Sequence, residues 1–585
     1  LSGRARSALL AALLALLAVL PYLPGLPGEF VYDDHRLIAD NEGLRRPFDA
    51  RRALLRDYYA ADVDRMGLGY YRPVAILSNE ADWRRGGGAP LAFHLTNMGL
   101  HAACTALVFA LARMLAGGAV LPAALAGAFF ALHPAHAESV AFVSGRVDPL
   151  ATLFGLAALG AHLRGRRAVR PWPWRAAAGL AWLLALLSKE MAVTVPLIAV
   201  LLDLGRGEFR GERRGWIGSY APYALAAAVY LPLRLAALGA LSTAAPTWVA
   251  LSWWRPPVAV GSYLAWIGLP PPGLHLEPEP VTGLLALAAA GLAVAAPLAA
   301  ALLWRRGARL PAALLLAIPL ALLPVAQLRP IETALSERFL YLPSALAALL
   351  LSVAVAGRRT VLTLGAVALL LMAYAAILVP RARQWRDAVA LWTAYTRAQP
   401  GAVKGWLNLG RALAADGDAA GAQQAYRQAH AVAPDLPLEG EMAAFDDAPL
   451  PERIARIRAT LERLPQDGAL WANLGFLLLE TNDAPGARDA FRQAVTATPQ
   501  RARAWLGLAL ADLKLLEIGE ADAAAARAAA LDPSLGLAIA IRVECALRAG
   551  QPCEALRLGE GIVLSAPDEA AALQRLLEVA REGCP

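Results

Sequence analysis

Five short stretches put ionisable side chains at the ends of long apolar runs, and their residue types suit one kind of chemistry. "VYDDHRLIAD" at 31–40 sets the adjacent carboxylates Asp33 and Asp34 just beyond the first apolar run. "HPAHAESVAFVSGRVDP" at 133–149 carries His133, His136, Glu138, Arg146 and Asp148. "SKE" at 188–190 holds Lys189 and Glu190; only Lys189, Lys404 and Lys514 among the 55 basic residues are lysine. "RPIETALSERFLYLP" at 329–343 contributes Arg329, Glu332, Glu337, Arg338 and Tyr341, and Arg234 closes another apolar run in "YLPLRLAALG". Ionisable groups at membrane depth are costly and normally face one another or a cavity. Any single pair reads equally well as an ion pair between helix ends. Together they suit more. A lysine ammonium and arginine guanidinia match an anionic phosphate, and Asp33 or Asp34 suits a general base. A phosphate at the membrane surface beside a base points to transfer from a lipid phosphate. His133, His136 and Glu138 also raise a metal site, but no H-x-x-x-H spacing is present. Pro134 further argues against two ligands on one helix face. Neither a metal nor another cofactor is indicated.

The elements that must position these residues are membrane helices. Of 585 residues, 58% are hydrophobic and 17% charged, with a mean hydropathy of +0.46. That balance excludes an ordinary soluble enzyme and points to an integral membrane protein in contact with the bilayer. The first run, from Ala8 to Leu26, follows Arg4 and Arg6 and lacks an A-x-A-like cleavage site, so it reads as an uncleaved span. Further runs lie near 93–113, 119–132, 149–163, 176–187, 191–205, 216–235, 281–303, 310–327, 339–356 and 360–379, eleven with the first. The connections at 164–175, 206–214, 304–309 and 357–359 are short and arginine-rich, and they share one side with the N-terminus. By the positive-inside rule that side is the cytoplasm. The opposite side then receives the first external loop, 27–92, with 133–148, 188–190, 236–280, 328–338 and everything after 380. The candidate site residues fall there, with Arg234 and Tyr341 at the ends of apolar runs that open on that side. A transporter is expected to carry ionisable groups near mid-bilayer and repeated halves; neither is present. The net charge of +8 follows the arginine bias, and no nucleic-acid partner is expected.

From about residue 381 a repeat appears. Prolines at 400, 434, 499, 533 and 567 are separated by 34, 65, 34 and 34 residues. Trp406, Gly410, Ala422, Tyr426, Ala429 and Pro434 match Trp471, Gly475, Ala487, Phe491, Ala494 and Pro499. Trp505, Ala509, Ala521, Ala525, Ala528 and Pro533 keep the spacing with smaller side chains. This is the tetratricopeptide pattern of paired helices, in which small residues let neighbours pack closely. A half-unit, Ala388 to Pro400, opens the array, and 435–467 reads as a degenerate repeat. The expected architecture is therefore all-α: a polytopic bundle over 1–380, followed by a tetratricopeptide α-solenoid over 381–585. Cys104 lies in an apolar run, whereas Cys545, Cys553 and Cys584 cluster near the C-terminus, where at most one disulfide is expected.

"VYDDHRLI", "YYRPVAILS", "FHLTNMGLHA", "HPAHAESVAFVSGRVD", "LLSKEMAVTVP" and "SERFLYLPS", followed by these repeats, resemble the transmembrane and tetratricopeptide-repeat O-mannosyltransferases and their bacterial relatives. These are polytopic glycosyltransferases of the GT-C class. The resemblance implies a polyprenyl-phosphate-linked sugar, mannose or a similar hexose, as donor and a protein hydroxyl as acceptor, with inversion at the sugar. It makes the acidic pair, Asp33 and Asp34, catalytic and sets the His/Glu loop, the "SKE" turn and the "SERFLYLP" segment around the donor. Lys189, Arg234 and Arg338 would stabilise the departing phosphate. In an extended segment neighbours point to opposite sides, so only one aspartate should face the reacting carbon. The arginine- and alanine-rich sequence suggests a bacterial inner-membrane protein whose site and repeats face the periplasm. The competing reading is a non-catalytic membrane anchor displaying repeats as a scaffold, which would need the repeats but not the charged external loops.

Overall fold

The computed structural model describes residues 3–59, 69–208, 213–239, 253–271, 273–274, 276, 282–328, 335–356, 360–433, 450–532, 535–559 and 567–584. Among these residues every regular element is a helix, and the chain divides into two compact units, Leu1–Pro400 and Gly401–Pro585. The division falls twenty residues beyond the expected 380/381, because Ala388–Ala398 packs with the first unit. Trp392 of that helix meets Tyr32 edge to face with centroids 5.6 Å apart, and the Arg386 carbonyl accepts the Glu29 N–H at 2.8 Å.

Within a bilayer only the chain itself can satisfy backbone N–H and C=O groups, so apolar runs fold as helices. Six described helices are long and apolar enough to cross a membrane: Ala5–Gly25, Pro90–Leu115, Ile217–Leu238, Gly283–Arg305, Glu337–Ala356 and Val361–Arg383. The other five expected runs are also helical, as Val120–Leu132, Val147–Gly165, Trp172–Leu186, Val195–Arg206 and Arg309–Leu322. Leu284, Leu287, Val361 and Leu362 point outward at 70–88% exposure, a surface suited to lipid. The chain is an integral membrane protein.

The stretch 236–280, expected as an external connection, contains a helix, Arg255–Gly268. Val258, Ala259 and Tyr263 are buried, and the helix lies against Gly283–Arg305. A Cβ at Gly261 would come 1.7 Å from the Ala289 carbonyl oxygen, so only glycine permits this crossing. Fourteen residues opened by two prolines are too short to stand out as a span.

The second unit is built from antiparallel helix pairs. Val403–Ala415 pairs with Ala419–Val432, Gly468–Glu480 with Ala484–Ala497, and Ala502–Lys514 with Ile518–Leu531. Equivalent positions do equivalent work. Asp418 and Asp483 cap their helices by accepting the N–H of Gly421 and Gly486, while Trp471 and Trp505 donate their indole N–H to Pro465 and Pro499 at 2.9 and 2.8 Å. Tyr426 and Phe491 press on Gly410 and Gly475, where a Cβ would sit 2.6–2.7 Å from the ring. Within the expected degenerate repeat, Leu450–Arg463 is a helix; 434–449 lie outside the described residues, as do Pro434, Pro533 and the 357–359 connection. Cys553 and Cys584 form a disulfide that joins Pro552–Gly559 to the end of Pro567–Gly583, leaving Cys545 buried and free.

Candidate functional site

The connection 133–148 is tied down by Asn97 and through Arg146, and it in turn contacts three other segments of the site. Asn97, from Pro90–Leu115, donates its amide to the carbonyls of Val140, Phe142 and Val143 at 3.0–3.3 Å. Fully buried Arg146 reaches Asp82 at 2.5 Å, Ser78 at 3.1 Å and the Phe93 carbonyl at 3.1 Å. Around it, Leu37, Ile38 and Tyr58 of the first loop bury with Ile76, Phe93, Val143 and Val147 in one apolar cluster. Three carboxylate contacts then radiate from the connection. Ser144 donates its N–H, at 2.8 Å, and its hydroxyl to Asp34. Glu138 accepts the Ser336 hydroxyl at 3.1 Å and the Arg338 N–H at 3.2 Å, with the Arg338 guanidinium 3.6 Å away. Asp148 takes the Lys189 ammonium at 2.6 Å. Burial raises the Glu138 carboxyl against the pull of Arg338, and burial lowers the Lys189 ammonium while Asp148 opposes it.

Where these segments converge there is a pocket of about 180 Å³. Its charged lining is Asp33 and Glu190 against Arg72, Lys189, Arg234 and Arg338, and Tyr58, Tyr59, Tyr70, Phe142 and Phe339 give it an aromatic wall. Arg72 grips Glu190 with two nitrogens at 2.7 and 3.3 Å and lies over the Tyr70 ring at 4.5 Å. Burial alone would raise the Glu190 carboxyl, but the Arg72 guanidinium and its hydrogen bonds hold it at about 2. The Lys189 ammonium sits 5.0 Å from the Phe339 ring centre, and Arg234 donates to the Tyr230 hydroxyl at 3.1 Å. A mixed pocket with excess positive charge and an aromatic wall can take a phosphate joined to a ring with an apolar face.

The two aspartates part company here. The segment is not extended, as expected, but helical at 33–34, passing into the turn His35–Ala39. Tyr32, in the left-handed region at φ 55°, turns the chain, and the Asp34 N–H closes back on the Val31 carbonyl at 3.0 Å. Neighbours on a helix stand about 100° apart, enough to separate their roles. Asp34 is fully buried and accepts from Val31 N–H at 3.2 Å as well as from Ser144. Burial pushes its carboxyl up to about 7 despite these donors. Asp33 is half-buried, lines the pocket and accepts the Tyr59 hydroxyl at 3.2 Å.

Of the residues expected in the site, Asp33, Lys189, Glu190, Arg234 and Arg338 line the pocket. Asp34, Glu138, Arg146 and Asp148 stand behind it as described. His133 and His136 bond the Ile267 carbonyl at 3.1 Å and the Ser344 hydroxyl at 2.8 Å. Glu337 pairs with Arg381 at 2.6 Å, and the Tyr341 hydroxyl lies 2.7 Å from His101 Nδ1. These four join helices rather than face the pocket. Arg329 and Glu332 lie outside the described residues. No three His, Cys, Asp or Glu among the described residues gather as a metal site.

The chain is 38% identical over 185 residues to "Protein O-mannosyl-transferase Tmtc2" of Drosophila melanogaster, covering 30% of this chain and 20% of that one. It is 34% identical over 182 residues to human TMTC2, covering 30% and 22%, and 27% identical over 169 residues to human TMTC3, covering 28% and 18%. The chain resembles the TMTC protein O-mannosyl-transferases. It spans about a fifth of the length of these relatives. No family model matches. Among solved structures, a tetratricopeptide-repeat protein of Thermus thermophilus aligns with a TM-score of 0.27 and 19% identity, covering 31% of this chain and all of that one. The type IV pilus biogenesis factor PilW aligns at 0.28 and 17%, covering 35% and 94%. The repeats stand on the chain's own helix pairs. Arg72, Tyr58, Tyr59 and Tyr70 also line the pocket, although nothing in the sequence singles them out. Arg72 and Tyr70 lie inside "YYRPVAILS", but one arginine among many in a long loop carries no mark of its own.

Proposed function

We propose that this chain is a membrane glycosyltransferase that moves a sugar from a polyprenyl-phosphate carrier to a hydroxyl of a protein acceptor, inverting the anomeric carbon. The observation that carries the reading is the Asp33 carboxylate sharing a pocket with Arg72, Lys189, Arg234 and Arg338, while the pocket's other carboxylate, Glu190, is gripped by Arg72. In the proposed step the acceptor oxygen bonds to the anomeric carbon, its proton passes to Asp33, and the bond from that carbon to the phosphate oxygen breaks with its electron pair. A lipid phosphate leaves readily, so no second, acidic carboxyl is required as in glycoside hydrolysis. Lys189, Arg234 and Arg338 meet the charge gathering on the leaving phosphate. The names of the TMTC relatives support transfer of mannose to protein, and the helix pairs of 401–585 supply a curved surface suited to an acceptor polypeptide.

We also propose that the pocket and the repeats face the periplasm of a bacterial inner membrane. The arginine-rich short connections support this orientation. The Cys553–Cys584 disulfide supports it independently, since such bonds persist in oxidising compartments. The deciding experiment offers purified protein in detergent a panel of polyprenyl-phosphate hexoses with a serine- and threonine-bearing peptide. Sugar transfer that falls by about 10²–10⁴-fold in Asp33→Asn is the expected result. No transfer from any donor by the wild-type chain overturns the reading in favour of a membrane-anchored scaffold.

A further inference from the structure

Asp33 sits beside a phenol whose placement is more constrained than a pocket wall requires. The Tyr59 ring packs against Tyr58 at 5.3 Å and Tyr70 at 5.6 Å between centroids. The Arg36 guanidinium lies over it at 5.5 Å and donates to the Tyr59 carbonyl at 3.4 Å. Its backbone is tied as well. One Asp57 oxygen accepts the Tyr59 N–H at 2.7 Å, and the other accepts those of Gly69 and Tyr70, the latter at 2.8 Å. Asp57 therefore ties the backbone of Tyr59 to that of Gly69 and Tyr70. With ring and backbone fixed, the hydroxyl is aimed at Asp33 Oδ2, 3.2 Å away.

We propose that Tyr59 is a positioning residue that holds the Asp33 carboxylate in its working orientation, a role that rests on Asp33 being the base of the transfer. Burial and the neighbouring Asp33 charge keep the Tyr59 phenol well above its usual range, so it remains a donor throughout the working pH. A fixed donor limits the rotation of a carboxylate that has one useful direction, which is how supporting residues set the geometry of a reacting group. It also stabilises the charged form of Asp33. Among the described residues, the charges that act on Asp33 include Asp34 and Arg338, with Arg72, Lys189, Glu190 and Arg234 around the same pocket.

Two readouts on full-length protein test this. In the first, carbodiimide labelling of Asp33, which needs the protonated carboxyl, is followed by mass spectrometry against pH in wild type and Tyr59→Phe. The labelling midpoint should rise by about one pH unit in the variant, the scale of one lost hydrogen bond to a carboxylate. In the second, transfer kinetics should show kcat of Tyr59→Phe down by about tenfold or more, donor KM within about twofold, and no further loss when Tyr59→Phe is added to Asp33→Asn. An unchanged midpoint overturns the proposal even if turnover falls, as does a Tyr59→Phe loss of equal size with and without Asp33. A midpoint that shifts in a protein that transfers no sugar keeps the contact and removes the transferase reading, so the two failures are distinct.

Discussion

At the residue scale the acidic pair is resolved by what each carboxylate touches. Asp33 faces the pocket, so Asp33→Asn should lower kcat by about 10²–10⁴-fold, the usual contribution of a general base, with thermal stability unchanged. Asp34→Ala should do the reverse. It strands the buried N–H groups of Val31 and Ser144 at about 1–3 kcal/mol each, which a melting curve in detergent would register as a lower Tm. If Asp34→Ala melts like wild type and loses turnover, the assignments are exchanged. Before the structure the pair was legible as a pair and no further, because separating its members needs Ser144, 110 positions away. Lys189 shows the same limit. Its rarity marked it, but its pairing with Asp148 means that Lys189→Ala also strands a buried carboxylate, at about 3–5 kcal/mol. Lys189→Arg keeps the charge and changes its shape. It should raise donor KM by about tenfold, or 1.4 kcal/mol, with acceptor KM within about twofold. An unchanged donor KM would return Lys189 to plain ion pairing.

At the element scale the helices were written in the apolar runs and the repeat was written in its prolines and tryptophans. The packing between helices was only half legible. Glycine at 410 and 475 belonged to the pattern, but Phe491 receives a second glycine, Gly507 of the following helix, where a Cβ would come 2.2 Å from the ring. One aromatic side chain thus sits between two helices that approach closely enough only because both offer glycine. Gly507→Ala should cost about 1–3 kcal/mol through overpacking, despite alanine's better helix propensity. Limited proteolysis of the full chain, compared with a control Gly519→Ala whose Cβ meets nothing within 4 Å, would separate the two effects. Equal protection in both variants would mean that the ring yields. The membrane unit repeats the lesson at Gly261, and the helix Arg255–Gly268 escaped the hydropathy reading because its burial comes from neighbouring helices rather than from length.

At the scale of the whole molecule, function depends on which compartment each unit enters. An odd number of spans from a cytoplasmic N-terminus would put the repeats outside the cytoplasm, and Arg255–Gly268 adds a helix to the expected eleven. Cysteine chemistry gives a measure that needs no count. Cys553 and Cys584 are bonded, whereas Cys104 and Cys545 are buried thiols. In protein quenched with acid and alkylated directly from cells, Cys553 and Cys584 should resist alkylation until a reductant is added. To fix the side itself, exposed Gln424 is changed to cysteine in a chain lacking Cys104 and Cys545. This leaves the bonded pair intact and the new thiol as the one cysteine outside it. A membrane-impermeant maleimide should then label this position while the inner membrane is sealed. Labelling only after that membrane is breached, together with free thiols at 553 and 584, would put 401–585 in the cytoplasm. The repeats could then not present an acceptor to a periplasmic Asp33. With the periplasmic result, deleting 401–585 should reduce transfer to a protein acceptor far more than transfer of the same sugar to water, because the deletion leaves the pocket's lining residues in place.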